Sequence, residues 1–284
     1  HQKCLNNFTV IFGILGRKHW LMHRLLLLWW LFCIPVFASG QVGYCANGGL
    51  YIDSSSQKAI QAFYANTRRS SLRNREPGPV GLTFHVVQSP QAQQVFPYHF
   101  IASMVEQANQ AFSATGISFY ICGSPRYVEG VTEYTFEHAE ILNGRYHVPK
   151  TINVVLVGGI TPPGGGLLCG LAKFPFQAPP ERRFLLLSQD CAYSPAPLVH
   201  ELGHFFGLLH THETRFGREL VNGSNCQKTG DLICDTPADP RLNLPNATYN
   251  CTYVGQQLDY NGDLYQPRVD NYMSYAPYYC QQNF

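Results

Sequence analysis

The chain has 284 residues, 45% of them apolar and 13% charged, with a formal net charge of +2. That length and apolar content suit one globular domain with at most a short appendage. The near-neutral charge excludes the strongly basic surface that a nucleic-acid partner requires.

Residues 22–40 run from Met22-His-Arg24 through a leucine- and tryptophan-rich stretch to Ala38-Ser-Gly40. A basic start, about a dozen apolar residues and small residues at the end describe a secretory signal peptide beginning at Met22. The run is short for a membrane span, so no stable span is expected once it is removed; a retained anchor is the alternative. Residues 1–21 begin with His1, fit no targeting pattern, and read as translated upstream sequence. Cleavage near Gly40 removes Lys3, Arg17, Lys18 and Arg24 and no acids, so the formal charge of +2 falls by four, to −2. Ten cysteines less Cys4 and Cys33 leave eight, an even number that suggests disulfides in an exported chain. None of their spacings forms a Cys-x-x-Cys zinc knuckle. The expected location is secreted, extracellular or periplasmic.

From Gln41 to about residue 77 the sequence forms a poor core. Asp53-Ser-Ser-Ser56 is a loop signal, 57–65 suits a short helix, and four arginines between Arg68 and Arg75 precede Pro77-Gly-Pro79. Such a linker is exposed and open to proteases, so 41–77 reads as a propeptide or an N-terminal extension and 78–284 as the folded domain. That domain begins with a β-rich run at 81–87. Apolar positions Phe100, Ile101, Met104, Val105, Ala108 and Phe112 then recur at helical spacing over 98–114. Strands follow at 117–122 and 152–157, the second nearly all apolar as in a sheet's middle. A short edge strand is expected within 167–174 and another strand at 183–188. His85, His99, His138 and His147 read as structural or solvated.

Near Ser194-Pro195, a cap followed by proline, the next helix starts. It carries His200-Glu-Leu-Gly-His204-Phe-Phe-Gly207-Leu-Leu-His210. Histidines four apart project from one helical face and can grip one ion. Glu201 is displaced around the helix from that ion but can reach a water upon it, where a general base belongs. Gly207 permits positive φ and ends the helix, letting His210 swing back as third ligand, with His212 a competitor for that place. Three histidines leave a fourth position for water, the pattern of a catalytic zinc site. His-Glu-x-x-His arises by chance in roughly one chain in a hundred, and Gly207 with His210 lowers that by about three orders of magnitude. Sixty residues on comes Asn271-Tyr-Met273-Ser-Tyr275, with one of only three methionines in the chain.

With this motif and this turn, the chain resembles the metzincin metallopeptidases. Gly230-Asp231-Leu-Ile-Cys234-Asp235-Thr236-Pro237 between them narrows the resemblance to the pappalysin-like family, over about residues 81–284. The resemblance implies an α+β fold: a twisted mixed sheet with two helices above the cleft and an irregular, disulfide-tied lower subdomain. It implies a monomeric secreted zinc endopeptidase, with zinc on His200, His204 and His210. Glu201 would take a proton from the zinc-bound water and pass it to the leaving amine. Met273 would floor the site, and Tyr275 would steady the oxyanion. Protein or peptide substrate would lie extended along an edge strand. Family members bind calcium beside the site, and Asp231 and Asp235 are the residues here that suit it.

The cysteine order resembles two interlocked bridges, Cys226–Cys251 and Cys234–Cys280. In the family's proenzymes a cysteine can block zinc; Cys45 could do so, or could pair as a disulfide. Two departures stand out. Tyr278 and Tyr279 occupy the neighbourhood where arginine-selective relatives carry an acid, which favours an apolar or aromatic residue after the cut. The sequence also stops at Phe284 where relatives continue into a helix, so a truncated C-terminus is one reading. Asn222, Asn246 and Asn250 head glycosylation sequons. The rival readings are a zinc hydrolase with glutamate as third ligand, and an inactive zinc-binding paralogue acting as a binding protein. Loss of zinc on His210→Ala separates the first, and the intact Glu201 argues against the second.

Overall fold

The computed structural model describes residues 54–69, 78–89, 95–130, 133–161, 168–192, 194–243 and 245–284. The expected signal peptide, the upstream segment, Cys45 and the stretch 70–77 lie outside them.

The main sheet has six strands: β1 (Val80–Gln88), β2 (Phe119–Ile121), β3 (Arg126–Glu129), β5 (Ile152–Val157), β7 (Gly170–Ala172) and β8 (Phe184–Ser188). Its order is β2-β1-β5-β8-β7, with β3 sharing the outer edge of β1 beyond β2. All pairings are parallel except β7 on β8, which is antiparallel and makes β7 the far edge. A separate pair, β4 (Glu133–Tyr134) and β6 (Gly159–Ile160), is parallel.

The near-continuous apolar run of the middle strands follows from burial on both faces. Ile152, Val154 and Leu156 of β5 join Leu185 and Leu187 of β8 in one core, while Val155, Val157, Phe184 and Leu186 join another. The first core lies under α2 (Tyr98–Phe112) and α4 (Ala196–Phe206), and buries Ile101, Met104, Ala108, Leu198 and Leu202. The second takes Ala139 from α3 (Phe136–Tyr146), which Thr135 caps by accepting a bond from the His138 N–H. Twisted mixed sheet, paired helices α2 and α4, and a disulfide-tied lower part therefore match the expected α+β class. The addition is α3, together with the short strands β3, β4 and β6.

The short helix expected at 57–65 runs longer, as α1 (Ser54–Arg69), and it is not detached. Ile60 and Tyr64 are buried with Phe174, Leu208, Leu209, Leu232 and Met273, and the Tyr64 hydroxyl donates to the Asp231 carbonyl at 3.3 Å. Beyond Gly207 the chain forms turns, isolated bridges and one 3-10 turn (Tyr278–Cys280).

The disulfides there differ from the expectation. Cys226 pairs with Cys234 and Cys251 with Cys280, so the interlocked pairs Cys226–Cys251 and Cys234–Cys280 do not form. The physical reason is proximity: the Cys226 and Cys234 Cα atoms stand 5.0 Å apart across one tight loop, those of Cys251 and Cys280 5.4 Å apart. A third bridge, Cys169–Cys191, joins the start of β7 to the turn that feeds α4.

Candidate metal centre

Every residue of α4 is buried, and the helix starts at Ala196, two residues after the expected cap; Ser194 Oγ accepts from the Ala196 N–H at 3.4 Å. Its end is set by Gly207, whose φ of 106° only glycine adopts without strain. The Gly207 N–H reaches the His204 carbonyl at 2.9 Å and the Leu208 N–H the Gly203 carbonyl at 2.8 Å, closing the last turn and redirecting the chain. That turn brings His210 back under the helix. The Nε2 atoms of His200 and His204 each stand 3.2 Å from Nε2 of His210.

Do these three rings suit an ion? Two nitrogens bound to a tetrahedral zinc at 2.0–2.1 Å stand about 3.3 Å apart, close to the separations found. Tautomers agree as well. His200 Nδ1–H donates to the Tyr272 carbonyl and His204 Nδ1–H to the Leu208 carbonyl, both at 2.6 Å. That leaves each Nε2 without its proton and aimed at its neighbours, which is how ligating histidines are usually oriented. Burial holds the His200 imidazole down to about 4 against its carbonyl bond, and holds His204 and His210 well below the usual range. All three are neutral at pH 7, as a metal ligand must be. Among the described residues they are the one group of three or more His, Cys, Asp or Glu able to hold an ion.

His210 is steadied by packing. Its ring lies parallel to His212 at 5.0 Å and against Tyr275 at 4.7 Å. His212, the competitor for third ligand, is thus a stacking partner of the triad rather than a member. Arg241 lies over the Tyr275 ring, its Cζ 5.3 Å from the centroid. Glu201 is fully buried beside His200 in sequence and borders Gly170 of β7. Below, the turn expected at Met273 is in place. The Met273 carbonyl accepts from the Thr211 N–H at 3.1 Å, and a side chain at Gly203 would put Cβ 2.5 Å from the Met273 sulfur. The helix can approach this turn so closely because position 203 carries none.

Asp231 and Asp235 do not belong to any group of three or more such ligands among the described residues. The Asp231 carboxylate is buried and accepts from the Ile233 N–H at 2.9 Å, whereas Asp235 is exposed. The expectation of calcium there finds no support. A cavity of about 370 Å³ opens beside the His210 wall, lined by His212, Glu213, Arg215, Arg218, Asp239 and Arg241. Burial raises the Glu213 carboxyl well above its usual range, against the pull of Arg215. Asp239 is pushed up to about 6, chiefly by burial; Thr211 and the Arg241 N–H donate to it and oppose the rise.

Sequence reasoning missed Gly170, Asp239 and Arg241, because each acts on a residue tens of positions away. Of the histidines set aside, His85 is buried and bonds Asn153 Oδ1 at 3.0 Å, a structural role.

Comparison with known proteins agrees with this geometry. Residues 181–284 match the family Peptidase_M43, described as pregnancy-associated plasma protein-A. The chain is 26% identical over 242 residues to an extracellular metalloprotease of Arthroderma benhamiae, covering 77% of this chain and 73% of that protein. An extracellular metalloprotease of Trichophyton verrucosum matches to the same extent. Among solved structures, a promirolysin mutant of Tannerella forsythia shares the fold with a TM-score of 0.54 at 18% identity, covering 81% of this chain and 84% of that one.

Proposed function

We propose that the chain is a pappalysin-like metzincin, a secreted zinc endopeptidase with His200, His204 and His210 as zinc ligands and Glu201 as general base and acid; the family match over 181–284, the extracellular metalloprotease relatives and the three-histidine group support this reading. The observation that carries this reading is the gathering of three Nε2 atoms with two Nδ1 atoms tied to carbonyls, beside a wholly buried glutamate. When bound, zinc lowers the pKa of a water and polarises the scissile carbonyl. Glu201 accepts a proton from the attacking water at a carboxylate oxygen and returns it to the leaving amine nitrogen. Tyr275, whose ring packs on His210, supplies a hydroxyl to the oxyanion. Met273 keeps the floor apolar and close to the helix. An extended peptide substrate pairs with the outer edge of β7, the strand that ends the sheet. Secretion is supported by the extracellular relatives and by disulfides, which persist in oxidising compartments. No helix among the described residues is long and apolar enough to cross a membrane.

The test is a peptide library digested by the purified protein, with and without chelator, beside Glu201→Ala. Chelator-sensitive cleavage is expected, with Glu201→Ala slower by about 10²–10⁴-fold and its zinc retained. Cleavage that survives in Glu201→Ala rules out the assigned base. Zinc binding with no cleavage of any peptide favours the inactive paralogue instead.

A further inference from the structure

The edge strand β7 does more than end the sheet, because its first residue stands against the side chain of Glu201. A Cβ built on Gly170 would lie 2.6 Å from Glu201 Oε1, 2.7 Å from Cγ and 2.9 Å from Cδ. All three atoms belong to one side chain, the methylene Cγ together with the carboxyl carbon and one of its oxygens, so the clash involves the stem as well as the tip. Glu201 itself is fully buried, so its displacement must displace a neighbour too.

The strand is equally constrained. Gly170 sits in register with Leu187 of β8, and the Cys169 carbonyl accepts from the Ser188 N–H at 2.9 Å. One residue earlier, the Cys169–Cys191 disulfide ties β7 to the 3-10 turn (Gln189–Cys191) that leads into α4, the helix bearing Glu201. The strand is thus cross-linked, one residue before Gly170, to the turn that precedes the helix, which restricts its retreat from Glu201.

We propose that Gly170 is a positioning residue for the general base: its bare backbone, clamped by Cys169–Cys191, is the wall that fixes the Glu201 side chain. This rests on the reading of Glu201 as the base. A base must lie within hydrogen-bond reach of the water it deprotonates, and a displacement of about 1 Å can cost about 10²-fold in rate. The zinc ligands lie on other side chains, so a change at position 170 touches the base and leaves the metal in place.

The experiment is a cycle of Gly170→Ala, Glu201→Ala and the double variant, each measured for zinc content, melting temperature and, where Glu201 is intact, kcat and KM. Gly170→Ala is expected to keep one zinc per chain and a KM near that of the parent, while kcat falls about 10–100-fold. Its melting temperature should fall by about 2–4 °C or more. In the Glu201→Ala background, where the opposing side chain has gone, the same substitution should cost no melting temperature. A kcat within twofold of the parent overturns the proposal, as does an equal thermal loss in both backgrounds. Should Gly170→Ala alone fail to fold, the double variant must fold, and its failure overturns the proposal too. A parent protein that cleaves nothing refutes the assigned function, while the thermal cycle still decides the contact.

Discussion

Two carbonyl bonds, from His200 to Tyr272 and from His204 to Leu208, decide which nitrogen each imidazole turns toward the third ring. One of those carbonyls belongs to the turn before Met273 and the other to the chain just past Gly207, so the ligands are oriented by the segments they help to assemble. Asp239 shows the cost of building such a site. Its folded-state carboxyl titrates at about 6 against an ordinary 3.8, so the folded protein binds its proton more tightly than the unfolded chain does. The stabilisation this provides is full below about pH 4 and is lost as pH rises toward 6. Asp239→Asn removes the buried charge but keeps only one of the two oxygens that accept from Thr211 and the Arg241 N–H, so the gain is an upper bound. It should therefore gain on the parent between pH 4 and 7, by up to about 3 kcal/mol. Urea denaturation across that pH range measures it, and curves that stay parallel would count against the assignment. The gathering of His200, His204 and His210 was legible because one helix and its turn fix their spacing within eleven residues. Asp239 and Gly170 were not, because nothing local marks a residue whose partner lies across the fold.

The zinc helix and the Met273 turn behave as one unit. Gly203→Ala would place a carbon 2.5 Å from the Met273 sulfur and 3.0 Å from Leu208 Cδ1. Overpacking of this kind costs about 1–3 kcal/mol, which a shift in urea midpoint at constant slope would register; an unchanged midpoint would mean that the turn yields freely. Helices α2 and α4 and the long strands were readable from apolar periodicity, since each buries a full face or both. α3 was not: among those of its residues whose burial is described, Ala139 and Asn143 are the buried ones, too few to write a helical stripe. β3, β4 and β6 have two to four residues each, too short for alternation to register. Helix α1 was expected as a short piece within a detachable extension. The face that Ile60 and Tyr64 bury is invisible locally because Phe174, Leu208 and Met273 lie more than a hundred residues away.

Over the whole molecule, the upper part is held by a sheet with helices on both faces and the lower part by cross-links and side-chain burial. Cysteine order alone does not choose among pairings, and the resemblance suggested the wrong ones; what decides is which Cα atoms the turns bring within bridging distance. Digestion without reduction should release linked peptides containing Cys226 with Cys234, and Cys251 with Cys280, in mass spectra. Recovery of Cys226 joined to Cys251 would contradict the fold of this region. The loops closed span 8 and 29 residues, worth about 2.5 and about 3.6 kcal/mol of unfolded-state entropy.

That unequal construction has a consequence for the metal. Two of its proposed ligands, His200 and His204, stand on a helix buried in the upper core, and the third, His210, hangs from a stretch with scarcely any repeating backbone lattice. An ion shared between them acts as a staple joining a stiff roof to a soft floor. Chelation should therefore speed amide hydrogen exchange across 211–284 well before it touches β1, β5 or β8. Uniform acceleration throughout the chain would instead mean that both halves open together.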